Sequence, residues 1–259
     1  MAGKVYFTDM RANSHKSSLP KKLRNLFDMA QLSSLFQRDE LVAVKIHFGE
    51  KGNMAYIHPV LVRQIVDKIK ENKGKPFLID TNTLYVGSRS NSVDHLQTAL
   101  ENGFSYASVN APLIIADGIF GKNFVEVDIN QKHFTCVKVA SDIFSSPAVI
   151  VLSHVKGHIA TGFGGALKNL GMGCSNRGGK QMMHSSLKPR LNWQKCKGCG
   201  TCLKWCPVEA ISFKDKKAVI DYELCIGCGE CTASCLHEAV KIQWESETSD
   251  LQERMVEFA

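Results

Sequence analysis

Two cysteine runs near the carboxyl end constrain this chain more than any other feature. Eight of the ten cysteines lie between Cys196 and Cys235. Both runs follow the spacing C-x2-C-x2-C-x3-C, and they are offset by 29 residues. A short loop with this spacing presents three thiolates together, whereas the fourth must act from elsewhere. The spacing therefore predicts that bound metal organises this part of the fold.

The duplicated triplet-plus-one spacing favours iron–sulfur clusters over the alternatives, zinc and disulfides. Structural zinc sites use close pairs of ligands instead. Glycines between the cysteines allow positive φ, which lets backbone N–H groups turn toward sulfur. These glycines are Gly198, Gly200, Gly227 and Gly229. Two [4Fe-4S] clusters are therefore predicted as cofactors.

Residues 192–245 resemble a bacterial-type two-[4Fe-4S] ferredoxin domain. The resemblance implies that each fourth cysteine binds the cluster of the other run. The first cluster would then be held by Cys196, Cys199, Cys202 and Cys235, and the second by Cys225, Cys228, Cys231 and Cys206. Pro207 follows the pattern of that family, whereas Leu236 stands where a second proline is expected.

Length and charge divide the chain into two unequal parts. At 259 residues it exceeds a typical single domain. Residues 1–187 carry 22 basic and 14 acidic side chains, net +8, whereas residues 188–259 carry 10 and 11, net −1. The basic part favours a redox partner protein or a small anionic substrate, and no nucleic-acid-binding motif is present.

The cellular compartment can be predicted from two features of the sequence, its lack of membrane or signal segments and its cysteine content. It contains no apolar run of membrane-spanning length and no signal peptide, so neither a membrane nor secretion is expected. Iron–sulfur ligation requires a reducing environment and protection from oxygen. We therefore expect a soluble cytoplasmic protein of an anaerobic or micro-oxic cell.

Apolar strand patterns alternate with helical ones over residues 1–187. This alternation predicts an α/β domain with a mostly parallel, helix-covered sheet. Predicted strands are 4–8, 41–48, 76–80, 113–117 and 148–152, with helices at 23–36, after Pro59 and at 92–102, and a possible hairpin of 124–129 with 134–140. Residues 188–245 are predicted to form a second, small α+β ferredoxin-like domain, and residues 246–259 an acidic tail, helical from Asp250.

Polar side chains follow several of the predicted strands. In open α/β sheets, ligands bind beyond the carboxyl ends of the strands. The candidate catalytic residues are His47, Glu50, His154, Lys156 and His158, with Asp80, Thr81, Asn82 and Asp117 at neighbouring strand ends. Metal binding, anion binding and proton transfer remain open for the two histidines around Lys156. The alternative is that charged residues lie in loops because loops are hydrated.

A glycine-rich loop entering a helix follows these histidines. It contains Gly162, Gly164, Gly165 and Lys168, and a helix start with a nearby lysine suits a carboxylate or phosphate. The spacing matches no nucleotide-binding motif, and the glycines are also compatible with simple turns. Histidines outside the candidate site are expected at the surface or in caps, with His184 near the domain linker. These are His15, His58, His95, His133, His184 and His237.

Residues 40–185 also resemble the domain of unknown function 362 family. The resemblance is carried by residues 42–49, 80–82, 153–158 and 162–173. Members similar to this chain often carry a two-cluster ferredoxin segment, so the resemblance implies an architecture more than a reaction.

The leading hypothesis is an electron-transfer protein with two clusters. Its electrons would pass to or from a site or partner of the basic domain. One alternative is a reductase that acts on a small anionic substrate. Enzyme activity as an oxidoreductase is therefore left open. Another is a binding or maturation module whose clusters are structural.

Overall fold

A four-stranded parallel sheet forms the centre of the protein in the computed structural model, which describes residues 3–85, 87–158, 161–184, 188–206, 208–225, 227, 229–241 and 250–259. Its strands are β1 (Leu41–Lys45), β2 (Lys75–Asp80), β3 (Leu113–Ile115) and β6 (Ala148–Val151). They lie in the order β3-β2-β1-β6, and every pair is parallel. The α/β class and its parallel sheet are therefore confirmed.

Helices cover one face of this sheet because their apolar residues repeat at helical spacing. The helices of this half are α1 (Leu19–Met29), α2 (Pro59–Glu71), α3 (Ser92–Glu101) and α4 (Tyr106–Val109). Val62, Ile65 and Val66 of α2 are buried against Val44 and Leu78 of the sheet. The cap residue of α3 is Asn91, whose side chain accepts hydrogen bonds from the backbone N–H groups of residues 93 and 94.

The opposite face of the sheet is covered by a hairpin and a short helix. The hairpin pairs β4 (Phe124–Asp128) with β5 (Cys136–Ala140), and α5 (Ser141–Phe144) follows it. Ala140 and Ile143 pack against Phe77 and Ile79. The predicted hairpin is confirmed, but it forms a sheet of its own.

Three predicted elements have different bounds. Residues 4–8 form no strand, because they have no partner strand and Val5 and Phe7 are exposed. The helix predicted over 23–36 is α1, which begins four residues earlier and is separated from a 3-10 helix, Leu32–Leu35, by Gln31 in the left-handed region. Strand β1 ends at Lys45, although Ile46 and Phe48 remain buried.

Beyond the sheet the chain forms a second hairpin and three helices. The hairpin pairs β7 (Lys156–His158) with β8 (Gly162–Gly164). The helices are α6 (Ala166–Cys174), α7 (Arg177–Met183) and the carboxyl-terminal α10 (Leu251–Phe258). Gly171 of α6 lies so close to α10 that a Cβ there would come within 2.6 Å of the carbonyl oxygen of Met255. The helix predicted from Asp250 is confirmed as α10.

Residues 188–241 form a separate small layer built from a repeat. Strand β9 (Arg190–Leu191) pairs with β12 (Val240–Lys241), and β10 (Ile211–Lys214) pairs with β11 (Lys217–Ile220). Short helices α8 (Thr201–Lys204) and α9 (Glu230–Ser234) each begin within a cysteine run. Pro207 and Cys228 lie outside the described residues. None of the helices in the described part of the chain has the length and apolar character needed to cross a membrane.

Candidate functional site

A buried ion pair lies where β1 and β2 end. Lys45 is fully buried, and its Nζ lies 2.9 Å from Asp80 Oδ1 and 2.7 Å from Asn169 Oδ1. The two charged residues meet because adjacent parallel strands end at the same edge of a sheet. Asn169, on α6, also donates to the carbonyl oxygen of Leu152 at 2.9 Å. The pair therefore joins β1, β2, β6 and α6.

The second carboxylate oxygen of Asp80 faces two further basic groups. Arg89 Nη1 lies 3.6 Å from Oδ2, and His95 Nε2 lies 3.4 Å from it. Burial alone would raise the pKa of Asp80, but Lys45 and His95 outweigh it and hold that pKa well below its usual value. His95 is fully buried, so its predicted surface or capping position is wrong.

Glu50 is ion-paired at the rim of the same network. Its carboxylate contacts Arg89 and the hydroxyl of Tyr85. Burial opposes ionisation of Glu50, but the hydrogen bond from Arg89 outweighs it and lowers its pKa. Glu50 is therefore ionised at neutral pH and engaged by a guanidinium, which makes it a weak general base.

A second set of buried charged groups, Asp117 and Lys180, lies near the ends of β2 and β3. Asp117 accepts hydrogen bonds from the backbone N–H and side-chain amide of Asn82 at 3.0 and 2.9 Å. Lys180 of α7 donates to Thr81 Oγ1 at 2.7 Å and to the carbonyl oxygen of Ser175 at 2.6 Å. Burial raises the pKa of Asp117 to about 6 and lowers the pKa of Lys180 to about 8. Both groups thus titrate close to neutrality.

His47 and His154 lie next to each other. Their ring centroids are 6.1 Å apart in an edge-on arrangement. His47 Nδ1 accepts the backbone N–H of Gly49 at 2.9 Å, and burial, with Arg89, lowers the pKa of His47 to about 3. Burial and Lys156 also lower the pKa of His154. Both imidazoles are therefore neutral at pH 7.

Four basic side chains gather around the β7–β8 hairpin; we call Lys156, His158, Lys168 and His184 the basic hairpin cluster. Lys168 Nζ contacts His158 Nε2, while His158 Nδ1 lies 2.9 Å from Thr161 Oγ1. Burial and Lys156 lower the pKa of Lys168 to about 8, and burial, Lys168 and His158 lower that of His184 to about 4. Burial and neighbouring positive charges are the causes that lower the pKa values of His158 and Lys168, and neither residue forms a salt bridge with an acidic side chain within the described ranges.

Each of two small cavities in the cysteine-rich layer is lined by cysteines from both runs. Cys196, Cys199 and Cys202 line the first cavity together with Cys235 of the second run. Cys225 and Cys231 line the second together with Cys206 of the first run. The described cysteines thus fall into the two sets that the resemblance implies, in which each run contributes its fourth cysteine to the other set. Cys228 lies outside the described residues.

The backbone hydrogen bonds and glycine conformations around the cysteines repeat from one run to the other, as the cysteine spacing does. The N–H of Ala210 donates to Cys206 Sγ and that of Ala239 to Cys235 Sγ, both at 3.2 Å. The four glycines between the cysteines have φ of 66–74°, the left-handed region in which a side chain is strained. A Cβ on Gly198 would also lie 2.2 Å from the carbonyl oxygen of Lys216.

A family model spans both the sheet and the cysteine-rich layer. The model of the domain of unknown function DUF362 matches residues 42–259. This chain belongs to the DUF362 family. The match continues through the cysteine runs, beyond residues 40–185, where the sequence resemblance was located. A search of curated proteins finds no match.

The candidate residues of this DUF362 protein fall into separate groups. His47 and His154 are adjacent, and Lys156 and His158 join Lys168, whereas Glu50 belongs to the Arg89 network. Gly162 and Gly164 belong to strand β8, so the predicted loop is a hairpin strand, while Gly165 precedes α6 as its cap residue, as predicted. Lys156 also lowers the pKa values of His47, Glu50 and His154, so it links these groups electrostatically.

Sequence reasoning missed several basic residues of this DUF362 site. Lys45, Arg89 and Lys180 were not predicted as site residues, yet all three are buried. A lysine inside an otherwise apolar, doubly covered strand was an available signal for Lys45, because such a charge requires a partner. No local pattern marked Arg89 or Lys180. His184 was predicted at the surface or in a cap, and it is the carboxyl-terminal cap residue of α7 but is buried.

The described thiols have donor chemistry that suits an iron–sulfur cluster. No group of three or more His, Cys, Asp or Glu side chains in the described ranges converges to hold one ion. A [4Fe-4S] cube binds each thiolate through a different iron, so its ligands surround a volume instead of a point. Thiols that line a common cavity and accept backbone N–H bonds have the chemistry that such a cube requires.

Proposed function

We propose that this DUF362 protein transfers electrons through two [4Fe-4S] clusters held in a ferredoxin-like domain. Cys196, Cys199, Cys202 and Cys235 would hold the first cluster, and Cys225, Cys228, Cys231 and Cys206 the second. The observation that carries the proposal is the presence of Cys235 in the cavity of the first run and of Cys206 in that of the second. Neither zinc nor disulfide chemistry calls for this exchange of the fourth cysteine.

The chain supplies the surroundings that such a cofactor needs. When bound, each cluster supplies a one-electron couple. Backbone N–H groups of Ala210 and Ala239 donate to the fourth cysteine of each run, which stabilises negative charge on sulfur. Ile211, Ile220 and Val240 are buried among the cysteines and exclude water from them. Hydrogen bonds to sulfur and exclusion of water both set reduction potential.

The cysteine-rich layer is joined to the sheet by charged contacts. Lys138 of β5 and Glu230 of α9 form a buried pair at 2.7 Å. Arg177 of α7 donates to the carbonyl oxygen of Ala233 at 3.1 Å and to that of Leu84 at 3.2 Å. These contacts support an electron path between the clusters and a site in the basic domain or on a redox partner.

Serine substitutions of the exchanged cysteines test the cluster assignment. Cys235→Ser and Cys206→Ser should each lose about half of the iron and sulfide of the anaerobically purified protein, because each removes one ligand from a different cluster. Iron analysis and visible absorption measure this loss. Cys136→Ser is the matched control, since Cys136 is half-buried outside both runs. Full iron content in both variants would overturn the assignment, and clusters that cannot be reversibly reduced would leave a structural role.

A second candidate, a reductase acting on a small anionic substrate, is favoured by the basic hairpin cluster. His158 and Lys168 are half-buried and have no acidic salt-bridge partner in the described ranges, so they suit an anionic ligand, which would supply the missing charge. Phosphate should therefore raise the midpoint of urea unfolding, and Lys168→Met should remove most of that effect. Lys21→Met is the control at an exposed position. Equal stabilisation of all three proteins by phosphate would count against an anion site at the hairpin.

A further inference from the structure

A cavity lies between the sheet region and the cysteine-rich layer, and it is lined by residues of both. Its volume is ≈ 360 Å³, within the range of roughly 300–1,000 Å³ typical of small-molecule sites. The residues that matter for its chemistry are Tyr85, Phe120, Arg177, Thr232, Cys235 and Leu236. We call this cavity the inter-layer cleft.

Two buried polar groups of the cleft have hydrogen-bonding capacity to spare. Thr232 is 5% exposed and Arg177 is 7% exposed. Thr232 Oγ1 and Arg177 Nε have no hydrogen-bond partner within the described ranges, although both Nη atoms of Arg177 bind backbone carbonyls. An unused buried donor costs free energy unless a ligand or water satisfies it. A guanidinium N–H and a hydroxyl each match an anionic oxygen acceptor.

The position of Arg177 is built into the backbone. Gly121, with φ of 72°, lies directly beneath its side chain, and a Cβ there would come within 2.4 Å of Arg177 Cγ and Cδ. The N–H of Arg177 donates to the carbonyl oxygen of Gly121 at 3.2 Å. The cation is therefore held in place before any ligand arrives, which lowers the entropic cost of binding.

Aromatic and apolar side chains complete the walls. Tyr85 and Phe120 are 40% and 44% exposed, and Leu236 is 59% exposed. The Tyr85 ring is fixed through its hydroxyl, which contacts Glu50 and Arg89. Fixed aromatic surface that is left accessible favours a flat apolar ligand face. The acidic residue Glu238 also lines the cleft and opposes an anion, while its carboxylate lies 3.8 Å from Lys195.

We propose that the inter-layer cleft binds a small aromatic carboxylate, with the carboxylate at Arg177 and Thr232 and the ring against Tyr85 and Phe120. Cys235, assigned above to the first cluster, forms part of the same wall. A ligand in the cleft therefore lies beside that cluster and changes the electrostatics around it. This last link depends on the proposed electron-transfer function, whereas the binding itself does not.

Calorimetry with benzoate tests the proposal on the intact protein as purified anaerobically. Wild-type protein should bind benzoate saturably and at least about tenfold more tightly than benzyl alcohol, which keeps the ring but lacks the charge. Thr232→Val removes one hydroxyl without changing shape and should weaken benzoate binding about fivefold to tenfold. Glu238→Gln should tighten it about twofold.

Two leucine variants locate the bound probe. Leu236→Trp fills the cleft and should abolish benzoate binding, whereas Leu224→Trp should bind like wild type. The pair is matched, because each leucine adjoins a cysteine of a run and the two are 59% and 55% exposed. Benzoate should also shift the reduction potential of one cluster in wild type and not in Leu236→Trp.

The outcomes separate the cleft from the proposed electron transfer. Absence of saturable benzoate binding, equal affinity for benzyl alcohol, or unchanged binding in Leu236→Trp would each overturn the cleft proposal, even if both clusters titrate reversibly. Saturable binding to protein that holds no iron would leave the cleft intact and overturn the electron-transfer function.

Discussion

The Lys45–Asp80 pair and the basic hairpin cluster both contain a lysine in buried surroundings, but the two lysines differ in whether an acidic side chain neutralises them. Lys45 is fully buried and meets the carboxylate of Asp80, with Asn169 completing its contacts. Lys168, the neighbour of Asn169 on α6, contacts His158 instead and lies near Lys156, with no acidic partner in the described ranges. One helix thus contributes to a neutralised network and to an unneutralised one. The first network therefore stabilises the fold, whereas the second carries positive charge that the proposed anion would neutralise.

The largest expected effect is a difference in unfolding free energy between a variant of the Lys45–Asp80 pair and a variant of the basic hairpin cluster. Asp80→Asn should lower the free energy of unfolding by about 3–5 kcal/mol, because it leaves Lys45 buried without a counter-charge. Lys168→Met should change it by less than about 1 kcal/mol or stabilise the protein, since it removes a half-buried charge that has no partner. Urea denaturation at pH 7 measures both. Similar losses in the two variants would mean that the basic hairpin cluster is also structural.

A smaller effect concerns the dependence of stability on pH at His184. Its pKa is about 4 in the folded protein, against about 6.5 for an unfolded histidine, so the unfolded state binds the proton first. Stability contributed by neutral His184 is complete above pH 6.5 and falls as the pH drops toward 4, by up to about 3 kcal/mol.

The difference in unfolding free energy between wild type and His184→Gln measures this contribution. That difference should change between pH 7.5 and pH 5, while His15→Gln, at an exposed site, should follow wild type throughout. A wild-type curve parallel to that of His184→Gln would show that an unseen acidic group neutralises the cluster.

The smallest effect tests the repulsion inside the basic hairpin cluster. Lys156→Gln should raise the pKa of Lys168 above about 8, by about 0.5, because a neighbouring positive charge is removed while burial, the larger cause, remains. NMR of reductively methylated lysines measures the titration, and Lys21→Gln is the control. A larger upward change would indicate that charge, more than burial, sets the state of Lys168.

Local patterns predicted most elements of the sheet region. Helical spacing in α2 and continuous apolar runs in β1 and β6 are properties of neighbouring residues, and these elements appear where predicted. The strand predicted at residues 4–8 failed because alternation cannot reveal whether a partner strand is present. The hairpin β7–β8 was missed because three-residue strands are too short to carry a periodic signal.

The candidate catalytic residues were found because they follow predicted strands in the sequence. His47, Glu50 and His154 were identified by that rule, but Arg89 and His95, which decide the charge state around Asp80, lie in a loop and a helix far along the chain. Charge pairing depends on distances in space, which strand patterns do not contain. From the sequence alone, Glu50 was therefore a candidate general base, whereas in the structure Arg89 contacts its carboxylate.

The class of the fold and the duplicated cysteine spacing could be read from the sequence, because periodicity and ligand spacing are local properties of the chain. Three features emerge only from packing in three dimensions: Cys235 and Cys206 line the cavities of the opposite runs, Lys45 is neutralised while Lys168 is not, and Arg177 lines a cleft beside Cys235. Each of these depends on residues brought together from distant segments, and burial then fixes what their charges do.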